Sequence, residues 1–194
     1  GRLVETRNKL VLQSNQPLRW SPAIRPERPA IGDADVVVAS FNVLNYFTTI
    51  DNGQNNARGA DSESELGRQE AKIVSALAGL KADVIGLMEM ENNVDAENRL
   101  VAALNKKHGK NVYKGCGIPQ GFGDSPGGSD AIRVGIIYRA DRVSPVGDVL
   151  MVDDNAFFVA RTPVVQTFRS VKGGEPLTVI VNHFKSKGGA SNAS

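Results

Sequence analysis

Two apolar runs separated by one amphipathic stretch constrain the fold more than any other feature of this chain. Residues 35–40 contain three consecutive valines, and residues 84–88 read Val-Ile-Gly-Leu-Met. Short runs of this kind are the pattern of strands buried on both faces. Between them, Leu66, Ile73, Val74, Leu77 and Leu80 recur at helical spacing, which predicts a helix over residues 65–80 with one apolar stripe. Strand, loop, helix and strand in that order are the unit from which layered α/β domains are built.

The flanking sequence extends this reading. A second helix is predicted over residues 96–107, closed by His108-Gly109. Beyond a Gly/Pro-rich loop at residues 115–129, short strands become frequent, at residues 133–138, 146–152, 157–160, 163–171 and 177–181. Lys172-Gly173-Gly174 is one of the turns between them, and this part reads as an antiparallel meander. The first thirty residues instead carry Pro17, Pro22, Pro26 and Pro29, a density that discourages helix and favours extended chain. Residues 1–32 therefore read as a linker or the tail of an upstream module, and residues 33–194 as the folded domain.

Composition narrows the class. With 41% hydrophobic and 23% charged residues the chain belongs among ordinary globular proteins, and no apolar run approaches the length of a membrane-spanning helix. The net charge of +2 is misleading as a sign of affinity for polyanions. Six basic and two acidic residues fall within residues 1–30, which leaves a formal −2 for the rest. Any nucleic-acid reading must rest on local sites. Cys116 is the one cysteine, so it is either a buried free thiol or the partner of a cysteine outside this chain.

Three apolar runs end in polar residues with chemical potential. The first delivers Asn42, the second Glu89 with Glu91-Asn92-Asn93 behind it, and the last His183 within Val181-Asn182-His183-Phe184-Lys185-Ser186-Lys187. Tips of strands sharing one sheet can gather at a cleft on its edge. A carboxylate and an amide oxygen are hard donors suited to Mg²⁺ or Ca²⁺, and an imidazole exchanges protons near neutral pH. Together they suit metal-assisted phosphoester hydrolysis.

Each residue also has a plainer reading. Asn42 can be a turn residue, and Glu91 a surface or helix-entry residue. His108 can favour a helix dipole as a cation at the helix end. Glu89 follows an almost wholly apolar strand, where a buried charge needs a partner or a metal. Arg161 can grip a phosphate or sit on the surface. Asp130 can orient a histidine through its ring N–H or finish a Gly-Gly-Ser-Asp turn. Asn182 and Lys185 are candidate substrate contacts beside His183.

Four segments together resemble the endonuclease/exonuclease/phosphatase superfamily, the deoxyribonuclease I-like fold. They are residues 39–46 (Ala-Ser-Phe-Asn-Val-Leu-Asn-Tyr), residues 83–92 (Asp-Val-Ile-Gly-Leu-Met-Glu-Met-Glu-Asn), residues 129–139 and residues 181–187. The resemblance is nearest to secreted bacterial extracellular nucleases. It implies a four-layer α/β sandwich, of which this chain supplies about the first half as one mixed sheet with helices. It implies a divalent-metal-dependent phosphodiesterase acting on nucleic acid, DNA above all, with Mg²⁺ or else Ca²⁺ or Mn²⁺. A lipid phosphodiesterase of sphingomyelinase type and a non-catalytic binding module are the alternatives.

By resemblance, Glu89 is the principal metal-binding carboxylate and Asn42 the amide that positions metal or phosphate. His183 is the imidazole that assists proton transfer on the leaving-group side, and Arg161 a nucleic-acid contact. Asp130 joins them as a less secure transfer. The family's later Asp-x-Asn and Asp-His segments have no match before Ser194. The expectations that follow are a broad uncovered apolar face and a need for the remainder of the domain or another chain. Little or no activity is expected of these 194 residues alone.

Overall fold

A computed structural model describes residues 2–6, 9–13, 30–119, 121–123, 130–152, 154–157 and 160–184. The chain divides into two units, Gly1–Asp33 and Ala34–Ser194. In the first, β1 (Arg2–Thr6) and β2 (Lys9–Gln13) pair antiparallel, with Arg2 opposite Gln13. Pro17, Pro22, Pro26 and Pro29, on which the linker reading of residues 1–32 rests, lie outside the described residues.

The second unit is the layered α/β fold expected from the apolar pattern. Its mixed sheet has the order β3 (Val38–Tyr46), β4 (Val84–Glu91), β6 (Ile132–Arg139), β5 (Tyr113–Gly115). Strand β3 runs parallel to β4, while β4, β6 and β5 pair antiparallel. The parallel pair requires a crossover, and α1 (Glu63–Leu80) supplies it. Ser62 caps α1 by accepting from the Glu65 N–H, and Glu63 and Glu65 place negative charge at its positive end. Helix α2 (Val94–His108) is capped by Asn93, which accepts from the Ala96 N–H at 2.9 Å. It ends at Gly109 in the left-handed region, φ 76°. His108 meets Tyr113 edge-on there, a ring contact in addition to the helix-end position from which a dipole role was expected.

Alternation along β4 decides the layers. Ile85 and Leu87 face Leu66, Ile73, Val74 and Leu77 of α1 and Leu100 and Leu104 of α2. Val84 faces the other way, with Val134, Ile136 and Tyr138 of β6. That second face is not left bare, as the reading of one sheet implied. Strands β7 (Val143–Met151), β8 (Arg161–Ser170) and β9 (Leu177–His183) form an antiparallel meander, and their Val143, Val164, Phe168 and Val181 close over it. The apolar run expected as a strand at residues 157–160 begins as a single 3-10 turn, Asn155–Phe157, and residues 158–159 lie outside the described residues.

Two further contacts fix the frame. Arg133 and Glu97 form a buried ion pair at 3.0 Å, both side chains almost inaccessible, and Arg133 Nε also donates to the Asn93 carbonyl at 3.0 Å. This ties α2 to β6 just where β4 ends. Across the sheets, Gly86 lets β9 approach β4 closely: a Cβ at Gly86 would stand 2.7 Å from Cγ2 of Val181. No side chain fits there without a shift of Val181 or of β9. Gly86→Ala is therefore expected to destabilise the fold by about 1–3 kcal/mol, through overpacking. Urea denaturation of Gly86→Ala, Val181→Ala and the double variant checks this: the pair should couple favourably by about 0.5–3 kcal/mol, and additivity would refute the contact.

Candidate functional site

Glu89 reaches its position through a fault in the sheet. Pairing of β4 with β6 runs regularly to Leu87 opposite Gly135 and resumes with Met90 opposite Arg133, so β4 carries one extra residue. Pairing with β3 also breaks there, between Asn42 opposite Met88 and Tyr46 opposite Met90. Glu89 sits in this bulge with φ 64°, and Leu44 and Asn45 facing it have φ 55° and 52°. A left-handed non-glycine residue costs on the order of 1–3 kcal/mol, and bulges re-aim side chains beside functional sites. Both strands distort at one place, and it is where the polar groups meet.

Asn42 holds the two distorted segments together. Its Oδ1 accepts from the Leu44 N–H at 2.8 Å and its Nδ2 donates to Glu89 Oε1 at 2.7 Å. Because the Leu44 N–H can only donate, oxygen must face it and nitrogen must face the carboxylate. Asn42 thus positions Glu89, where the sequence had it also as a metal ligand in its own right. Gln69 of α1 fixes the same turn by donating to the Leu44 carbonyl at 2.9 Å.

His183 arrives from the other sheet. Its Nε2 lies 3.6 Å from Glu89 Oε1, with the two side chains about equally buried at 20% and 19% exposure. The expectation that all three strand tips share one sheet is thus corrected: Asn42 and Glu89 belong to the mixed sheet and His183 to the antiparallel one. Burial, and next the Arg161 cation, hold the imidazole pKa below its ordinary 6.5, while Glu89 and Asp130 pull it the other way. Burial prevails, so His183 is neutral at pH 7. Its Nδ1 is buried without a hydrogen-bond partner among the described residues.

Arg161 pairs with His183 across the β8–β9 ladder. Its Nε is 3.0 Å from Asp130 Oδ2 but not aligned for a hydrogen bond, so the contact is one of charge. Asp130 also faces Arg58 NH1 at 3.9 Å and accepts from the Ile132 N–H through Oδ1 at 3.2 Å. It makes no hydrogen bond to His183 among the described residues. The orienting role considered for it is replaced by a bridge between two arginines. Arg58 escaped the sequence reading, although it is the one cation in the polar stretch 48–64. Thr49, Asn55, Asn56, Arg58, Asn92 and Asp130 line a polar cleft of about 680 Å³.

The remaining candidates divide. Asn182 has the strand parity of exposed Ile180, whereas His183 follows buried Val181, so Asn182 lines a separate groove between β3 and β9. Lys185 lies outside the described residues. Cys116 is half-buried, and burial, then the Glu97 charge, push its thiol pKa well up, leaving it protonated and inert. Glu91 is buried rather than at the surface. Its Oε2 accepts from the Thr48 N–H, the Thr48 hydroxyl and the Thr49 N–H at 2.7, 2.7 and 3.1 Å, which anchors the loop after β3.

A divalent cation at this centre would be held by Glu89. Among the described residues there is no group of three or more His, Cys, Asp or Glu side chains arranged to hold a metal. One carboxylate nevertheless fits Mg²⁺, which binds through one or two carboxylates and completes its shell with water and substrate phosphate. The strained, amide-clamped Glu89 is a donor of that kind.

No family model matches the chain, and no curated protein sequence matches it significantly. Solved structures do overlap. An endonuclease/exonuclease/phosphatase family protein from Bacteroides thetaiotaomicron is 17% identical with a TM-score of 0.49, over 75% of this chain and 49% of that one. The human Nocturnin catalytic domain with bound sulfate is 14% identical with a TM-score of 0.49, over 79% and 51%. TDP2 from D. rerio, complexed with a single-strand DNA product, is 17% identical with a TM-score of 0.46, over 81% and 49%. The chain spans about half the length of these proteins. Overlaps so partial, at identities so low, say nothing about the chemistry of the centre.

The buried Glu91 gives a pH dependence. Burial raises its carboxyl pKa, but the hydrogen bonds from Thr49 and Thr48 together outweigh that and bring it below the ordinary 4.5. A carboxylate with a depressed folded-state pKa contributes stability in full above 4.5, and that contribution is lost as pH falls through the lowered value. Glu91→Gln is expected to melt lower at neutral pH and to lose less on acidification. Melting temperatures measured from pH 7 down to about 3 check this, and parallel acid limbs in the two proteins would contradict it.

Proposed function

We propose that this chain contributes the Asn42–Glu89–His183 centre of a divalent-metal-dependent phosphodiesterase of the endonuclease/exonuclease/phosphatase superfamily, acting on nucleic acid. The observation that carries this reading is Glu89 in a left-handed bulge, clamped by Asn42 at 2.7 Å and facing His183 from the second sheet at 3.6 Å. Strain with a carboxylate and an imidazole at one point suits a pre-organised reaction centre better than a structural ion pair. Secretion and a preference for DNA belong to the same proposal, on the resemblance of the four sequence segments.

Glu89 would hold a divalent cation, which when bound would supply charge neutralisation and orientation of the phosphate oxygens. The chain's own residues do the rest. Asn42 fixes Oε1 of Glu89, so the carboxylate need not reorganise when charge develops beside it. His183, neutral in the free protein, is ready to take a proton. A bound phosphodiester adds negative charge beside the imidazole, favours its protonated form and equips it to pass a proton to the leaving oxygen. Arg161, held by Asp130, adds a cation on the same side for the phosphate.

Once the remainder of the domain or a completing chain is supplied, Glu89→Gln and His183→Ala are each expected to lower metal-dependent plasmid nicking by about 10²–10⁴-fold. Sphingomyelin hydrolysis should stay at background in every form. Metal binding gives a readout independent of turnover: Mg²⁺, Ca²⁺ or Mn²⁺ should raise the melting temperature of the wild type and not of Glu89→Gln. Full nicking by His183→Ala, or equal metal stabilisation of Glu89→Gln, would overturn the assignment.

A further inference from the structure

A second cleft opens where the distorted end of β3 meets the first half of α1. It has a volume of about 440 Å³ and is lined by Leu44, Arg58, Glu65, Arg68, Gln69 and Lys72 among others. Three of these are cations and one is an acid. Arg68 and Lys72 are exposed, and among the described residues neither lies within ion-pair distance of a carboxylate. Arg99, Arg133, Arg139, Arg142 and Arg161 all have acidic partners within about 3.0 Å or less. Arg58 contacts its acid only at 3.9 Å and leaves half its side chain in solvent. Lys81, Lys106, Lys107, Lys110, Lys114, Lys172 and Arg169 likewise have no acidic partner among the described residues, but Arg58, Arg68 and Lys72 share the cleft that adjoins the Asn42–Glu89 centre.

Its position and rim sharpen the point. Leu44 is 73% exposed, an apolar side chain presented to water by a left-handed backbone. Its N–H is the donor that orients Asn42, so the cleft starts against the Asn42–Glu89 clasp. Arg58 lines both this cleft and the polar one beside Asp130, which joins the two into a path. Arg68 and Lys72 are four residues apart on α1, hence on one face and about 6 Å apart along its axis. That is the order of separation of neighbouring phosphates on an extended strand. A row of cations tracking a backbone is the electrostatic half of the single-strand binding pattern, and the apolar Leu44 stands where that pattern usually has an aromatic platform.

We propose that Arg58, Arg68 and Lys72, with Leu44 at the rim, form a track for the sugar-phosphate backbone of a nucleic-acid strand whose scissile phosphate lies at Glu89. A lone headgroup phosphate would leave the outer cations unused. This inference rests on the phosphodiesterase reading and names its substrate class.

The test is equilibrium binding of the 194-residue chain to a labelled single-stranded oligonucleotide of about 12 nucleotides, in EDTA so that no cleavage occurs, across a salt series. The triple variant Arg58→Gln/Arg68→Gln/Lys72→Gln should bind roughly 100-fold more weakly at about 50 mM salt, with the log–log salt slope shallower by about 2. Lys106→Gln/Lys107→Gln/Lys110→Gln removes three exposed charges at the end of α2 and should stay within about threefold of wild type. Lys72→Glu alone serves as a milder probe and should weaken binding with an unchanged melting temperature. Equal losses in the two triple variants would overturn the track, as would no binding by the wild type. So would loss of binding to phosphatidylserine vesicles in the triple variant with oligonucleotide affinity unchanged. Because binding is read without metal or turnover, it can fail while Glu89 and His183 remain essential for hydrolysis, and the reverse.

Discussion

Everything at the centre of this molecule depends on the close passage of β9 over Gly86. With no Cβ at that point, Val181 packs against the backbone of β4, and any larger residue there would force Val181 or β9 to shift. Glu89 lies three residues beyond Gly86 and His183 two beyond Val181, so the contact sets the gap between carboxylate and imidazole. The apolar layer of Val84, Ile136, Phe168 and their neighbours supplies the driving force for sheet packing. The glycine decides how near the sheets come.

The polar groups around that contact fall into two kinds. Arg133–Glu97, Asp83–Arg142 and Glu70 with Tyr46 and Arg99 are partnered networks that fasten helices and strand ends. Their hydrogen bonds offset the cost of burial, as buried polar groups require. Around Glu89 the arrangement differs: a strained backbone, an imidazole with a buried nitrogen that has no partner among the described residues, and an arginine whose ion pair is not aligned as a hydrogen bond. Groups held this way keep capacity for a ligand.

The helices and central strands were legible because their signals are local. The apolar stripe of α1 and the Gly109 close of α2 are short-range features with short-range causes, although both helices begin two residues earlier than their apolar pattern suggested, after the Ser62 and Asn93 caps. Strand ends were less so. Residues 35–40 looked like the whole strand, but β3 runs Val38–Tyr46, because pairing with β4 breaks after Asn42 and resumes at Tyr46 opposite Met90, beyond the left-handed Leu44 and Asn45. Strand β5 is three residues long and exists through its pairing with β6, which no pattern along residues 113–115 reveals.

By itself the sequence determined the layered α/β class and singled out Asn42, Glu89 and His183, since periodicity and a charge at the end of an apolar strand are written in consecutive residues. Only the tertiary structure decided that the three come from two sheets, that Glu89 is turned outward by a bulge, and that Asp130 serves two arginines rather than the histidine. Those outcomes depend on which strands pair and in what register, and on how close two sheets can pack. Such choices are made between residues tens of positions apart, where the order of the chain carries no direct signal.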